Sequence, residues 1–372
     1  MNYYNFSISL QENVLFMVIP QSEKLSTRHL NRVFDNTVAT YKYYWFIGIL
    51  DLYVKQGKTR MSVWEIMITM VANAWYPVNY FRISFGKSES LNETIQTLQR
   101  ENDIPINIGV DKLTKVLEEL IQNPNIRKQL KFLQNNVPFR FLRPWIDTSN
   151  DTEVVLRSQT FENDCLYKLE KIKGVLWVEL NPKWLIYLRE NYEILTSFAY
   201  WGLVNFLQVR NPNVPNISNK LIKREERTPL TQQHKFWDIA IDKGFELRCL
   251  YTNDTINKGD YDLDHFIPWS FVSHDLLWNL IPINPNVNSS KSNKLPDLNL
   301  YLPKLAQAHQ KAIEINLEFN NRNKLLEDYL SLGYTPQDIV NMNKDKLIDC
   351  FYQTFSPLHQ IALNMGFENW KY

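Results

Sequence analysis

The stretch DLDHFIPWSFVSHDLLWNLIPINPNVNSSKSNK, residues 262–294, holds residue types that could do chemistry if the chain folds back on itself. Polar and apolar positions alternate in DYDLDHFIP, which predicts a strand, and LWNLIPI predicts a second one. WSFVSHDL between them reads as a compact loop. NPNVNSSKSNK opens on Asn284-Pro285, a pair that suits a helix N-terminus. The order strand, loop, strand, short helix brings Asp264 and His265 of the first strand close to Asn288 on the helix. A carboxylate oxygen and an amide oxygen are hard ligands, suited to Mg²⁺ and not to zinc. Two protein oxygens leave coordination positions for water and for phosphate oxygens, as phosphodiester cleavage requires. Successive strand residues face opposite ways, so Asp264 can hold a metal while His265 faces an attacking water. Imidazole is a workable general base near neutral pH.

The same residues resemble a known motif. Asp264-His265, Pro268, Ser270-Phe271, Asn279, and Asn288 with Lys291 three residues on are similar to the HNH endonuclease motif of the ββα-metal fold. The resemblance is closest to the HNH domain of type II CRISPR effector nucleases, spacings included: 14 residues from His265 to Asn279 and 9 from there to Asn288. LRCLYT, residues 247–252, resembles that family's lead-in strand. The resemblance implies Asp264 and Asn288 as metal ligands and His265 as general base. Asn279 would tie the loop together, and Lys291 would contact phosphate. It covers about residues 230–300. CxxC zinc pairs are missing, and Asn stands at the third position where the wider family has His. The CRISPR-type domains share that Asn, which favours magnesium. The rest of the chain shows no split RNase-H-like segments and no arginine-rich bridge helix, so RNA guidance is not implied.

Further elements must position these residues. The chain has 372 residues, 44% of them hydrophobic, with ten glycines, which predicts two or three ordered domains. Residues 1–146 read as a mainly helical domain. Ser26 is its first N-cap candidate, and ATYKYYWFIGILDLYVKQG ends at Gly57, a natural C-cap. Residues 147–215 read as a mixed α/β segment and linker, residues 216–300 as the nuclease domain, and residues 301–372 as a helical tail. The apolar runs YYWFIGIL and IMITMVANAW fall short of the roughly 18 consecutive apolar residues a membrane span requires. The opening MNYYNFSISLQENVLFMVIP lacks the basic start and cleavage site of a signal peptide. Cys165, Cys249 and Cys350 lie far apart, which excludes a cysteine-built zinc site and fits a reduced compartment.

The formal net charge is +1, and residues 216–300 carry ten Lys or Arg against eleven Asp or Glu. A near-neutral nuclease segment grips nucleic acid weakly by itself, because phosphate contacts supply most non-specific affinity. Arg127, Lys128, Lys131, Arg140 and Arg143, with interleaved aromatics and no acid among them, are the candidate phosphate-tracking surface. His274 reads as a surface residue, and His29, His234, His309 and His359 as structural.

The expectation is an α+β protein whose nuclease domain hydrolyses DNA with Mg²⁺, or Mn²⁺ as the substitute ion, in restriction or anti-phage defence. DNA is the expected partner, the cytoplasm the expected location, and no membrane is involved. One rival is an effector subunit activated by a sensor protein or second messenger. The other is a non-catalytic nucleic-acid-binding module.

Overall fold

The computed structural model describes residues 19–87, 89–222 and 228–372. The N-terminal text weighed for a leader therefore lies largely outside the described residues. Among them, no helix is long and apolar enough to cross a membrane. The chain divides into two compact units, Met1–Trp75 with Phe85–Leu207, and Tyr76–Ser84 with Gln208–Tyr372.

The first unit is mostly helical. Helix α1, Tyr41–Gln56, is apolar on nearly every side, and Tyr43 through Leu50 are all buried. A helix apolar all round belongs inside a core. It stops at Gly57, whose φ of 72° closes the last turn in the left-handed region where a Cβ is disfavoured. Strands β1 (Arg60–Ser62), β2 (Tyr167–Ile172) and β3 (Val175–Leu180) form an antiparallel sheet in the order β1-β3-β2. Residues 147–207 thus close on the helical domain through this sheet instead of forming a separate segment.

The second unit carries the stretch with the Asp-His pair. Helix α2, Thr231–Asp242, precedes strand β4, Asp262–His265, which pairs antiparallel with β5, Leu280–Ile283. Helix α3, Pro285–Lys291, follows, then the long α4, Leu298–Phe319, and α5, Lys344–Asn364. Asn284 caps α3, its side chain accepting from the Asn286 N–H at 3.0 Å, with Pro285 at the first helical position. Strand, loop, strand and helix occur in the order the sequence predicts. The expected lead-in strand at 247–252 reduces to an isolated bridge between Arg248 and Thr255.

Residues 301–372 are not a detached tail. Helix α4 packs on both α2 and α5. Phe355 of α5 meets Phe266 and Trp278 edge-on, and the Leu277 N–H donates to Asp328 Oδ2 at 2.8 Å. The Trp370 N–H closes the chain end onto the Leu295 carbonyl at 2.7 Å. The β4–β5 hairpin is short, and two strands alone bury too little to be stable. The C-terminal helices supply the missing core.

His309 lies in that core, fully buried, its Nδ1 2.7 Å from the Tyr329 hydroxyl. Burial pushes its pKa down to about 3. The unfolded chain therefore binds a proton near the ordinary histidine pKa that the folded chain refuses. Stability conferred by neutral His309 is complete above that value and is lost as pH falls toward 3, at about 1.4 kcal/mol per pH unit. Burial depresses His274 and His359 as well, so the slope is shared. Denaturant unfolding at pH 7 and pH 5 should show the 208–372 unit losing stability at the lower pH. His309→Gln should lower stability at pH 7 but flatten the slope.

Candidate active site

In the antiparallel register, Asp262 faces Ile283, Asp264 faces Ile281 and His265 faces Leu280. Strand alternation places Asp262 and Asp264 on one face and His265 on the other. Helix α3 lies against the first face. Asn288 donates from Nδ2 to Asp262 Oδ2 at 3.1 Å. Lys291, one turn further and on the same side of the helix, donates from Nζ to Asp264 Oδ1 at 2.9 Å and to the His265 carbonyl at 2.8 Å. The Tyr251 hydroxyl donates to the other Asp264 oxygen, Oδ2, at 3.2 Å. Burial first, and then the Asp264 charge, hold the Tyr251 phenol far above its ordinary pKa, so it stays a donor.

Asp264 is 3% exposed and Lys291 is fully buried. A buried carboxylate is costly without a cation, and Lys291 is that cation here. The expected phosphate contact by Lys291 is thereby corrected: an ammonium sealed between Asp264 and a main-chain oxygen does not face a substrate.

On the opposite face, His265 Nε2 lies 2.8 Å from Asp275 Oδ1, in the loop between the strands. A carboxylate at one ring nitrogen takes its N–H and leaves Nδ1 as the basic position, the tautomer following from the hydrogen bond. His274, expected at the surface, is half-buried beside Trp278, and burial pushes its pKa down to about 4, with His265 adding to the fall. It is neutral at pH 7 and takes the Leu276 N–H on Nδ1 at 3.3 Å.

Asn279 is fully buried and touches no reacting position. Its Oδ1 accepts the Ile267 N–H at 2.8 Å, its Nδ2 donates to the Ile267 carbonyl at 2.9 Å, and its own carbonyl accepts the Phe266 N–H at 2.8 Å. It is a positioning residue that fastens the residues after His265 to the start of β5, and its grouping with the catalytic residues is corrected accordingly. Asn279→Ala strands two buried backbone groups and should cost about 2–4 kcal/mol, at the usual penalty of each unsatisfied group. A urea midpoint within error of wild type would refute this clamp.

The structure thus brings Asp264, Asn288 and Lys291 to one face and His265 to the other. Sequence reasoning missed Asp262, Tyr251 and Asp275. Asp262 was legible as the residue two before Asp264, hence on its face. Tyr251 and Asp275 depend on how the loops return.

Residues 249–297 match the HNH endonuclease family model. The chain carries an HNH endonuclease domain. The match spans both strands, the loop and α3, and it names no branch within the family. No curated protein and no solved structure matches the chain. An HNH domain implies a nuclease acting on nucleic acid, and such nucleases typically use a divalent metal ion.

The donors present fit such an ion in kind. Asp262, Asp264 and Asn288 offer only oxygens, the hard set that magnesium or manganese prefers. Among the described residues no cluster of three or more His, Cys, Asp or Glu could hold a metal.

Of the basic residues from 127 to 143, Arg127 is exposed, with its Nε donating to the Ile121 carbonyl at 2.7 Å and its guanidinium 5.7 Å from the Trp64 ring centre. Lys128 and Lys131 are exposed. Arg140 and Arg143 line a cleft that includes none of the other three.

Proposed function

We propose that the HNH domain hydrolyses phosphodiester bonds in DNA with Mg²⁺ as cofactor, and with Mn²⁺ able to replace it. His265 Nδ1 takes the proton of the attacking water while Asp275 steadies the imidazolium that forms. The water oxygen bonds to phosphorus as the bond to the leaving sugar oxygen breaks. Asp264 and Asn288, with Asp262, would hold the ion, which when bound neutralises charge on the scissile phosphate. Lys291 holds the Asp264 carboxylate in place, and Asn279 keeps the loop from displacing His265.

The observation that carries this reading is the division of labour across β4: oxygen donors on the α3 side, and a carboxylate-steadied imidazole on the other. By analogy with stand-alone HNH nucleases, we assign the activity to restriction or anti-phage defence in a prokaryotic cytoplasm.

Purified protein should convert supercoiled plasmid to nicked or linear DNA in Mg²⁺ or Mn²⁺, and EDTA should stop the reaction. Cleavage undiminished in EDTA would remove the metal from the mechanism. Binding without cleavage in either ion would favour a non-catalytic module.

A further inference from the structure

The first unit contains a cleft of about 730 Å³ that the nuclease reading does not use. Arg32, Lys42, Arg140 and Arg143 line it, against two carboxylates, Asp35 and Asp147. Asp35 is already taken by Arg32 at 3.1 Å. The Arg140 side chain is exposed and has no hydrogen-bond or carboxylate partner among the described residues, whereas Arg143 Nη2 donates to the Ser149 carbonyl at 3.4 Å and lies 3.9 Å from Asp151. Lys42 is held on main-chain oxygens, its Nζ 2.9 Å from the Val33 carbonyl, with no carboxylate partner. Burial, then the charge of Arg143, pull its pKa down; Asp35 opposes the fall and Arg140 adds to it.

A second observation also points to a ligand. Trp145 lines the cleft, is 2% exposed, and its indole N–H has no partner among the described residues. The buried Arg143 Nε and His29 Nδ1, also in the lining, are likewise unpartnered. Buried polar groups are normally satisfied, so three at one cleft mark a place where another molecule completes the bonding. Val38, Val137 and Pro144 give the cleft an apolar wall. Its volume suits a small organic ligand and far exceeds a single phosphate.

We propose that this cleft binds a free nucleotide carrying at least two phosphate charges. Arg140, Arg143 and Lys42 receive the phosphates, and the apolar wall with the unpartnered donors receives the base. Guanidinium groups match phosphate oxygens in geometry as well as charge. The inference is independent of the chemistry at β4.

Isothermal titration of the full chain tests this in EDTA, so that no divalent ion bridges phosphates elsewhere. The probes are ATP, cyclic di-AMP, adenosine, inorganic phosphate and a short single-stranded oligonucleotide. ATP or cyclic di-AMP should bind saturably, with adenosine and phosphate at least about tenfold weaker, the loss expected when charge-assisted bonds are removed. Arg140→Gln, at an exposed position that folding does not need, should weaken the binding by about tenfold or more, and Lys42→Gln should do likewise. The proposal fails if neither nucleotide binds, if adenosine binds as tightly as ATP, if only the oligonucleotide binds, or if both variants keep wild-type affinity.

Discussion

His265→Ala should reduce DNA cleavage by about 10²–10⁴-fold while leaving DNA binding within a small factor of wild type, the span usual for a positioned general base. The side chain lies across β4 from the α3 face, so its removal leaves the Asp262–Asn288 and Asp264–Lys291 contacts in place. The released Asp275 side chain is 30% exposed and regains water, which keeps the folding cost small. Single-turnover cleavage of a labelled duplex, beside a binding isotherm for the same duplex, separates the two quantities. Cleavage by the variant at near wild-type rate would show that another group activates the water. Equal loss of binding and cleavage would point to a structural role.

Lys291→Met should lower the unfolding free energy of the 208–372 unit by about 3–5 kcal/mol, the usual consequence of removing one partner of a buried ion pair. The reason is Asp264, 3% exposed, which loses its cation. The Tyr251 hydroxyl remains on Oδ2 but supplies no charge. The double variant Asp264→Asn/Lys291→Met has no charge to compensate and should recover most of the loss, a coupling read from a double-mutant cycle in urea. Mg²⁺ should raise the unfolding midpoint of Lys291→Met more than that of wild type, since a divalent ion is then the available partner of Asp264. Equal stability of wild type and Lys291→Met would mean that the pair contributes nothing. A double variant no better than the single one would trace the loss to packing.

The HNH segment was largely legible in the sequence, because its signals are local. Alternation marked the first strand, an apolar run the second, and Asn284-Pro285 the start of α3, but the individual pairs across β4 and α3, Asn288 with Asp262 and Lys291 with Asp264, were not legible. The apolar α1 with its Gly57 stop was legible for the same reason. The roles of Lys291 and Asn279 were less so. A lysine in a polar Asn- and Ser-rich stretch reads as solvated, and only the fold shows it sealed under Asp264.

Sequence by itself determined the order of elements, the hard-oxygen character of the donors and the opposite facing of Asp264 and His265, since these follow from residue type and strand period. Tertiary structure decided what each side chain meets. Asp275 returns from a loop to His265, Tyr251 reaches Asp264 from the segment before β4, Arg140 and Arg143 join Lys42 around a cleft, and the C-terminal helices form the nuclease core. Such partners are distant along the chain, and hydrophobic burial, which is non-directional, brings them together only when the whole unit packs.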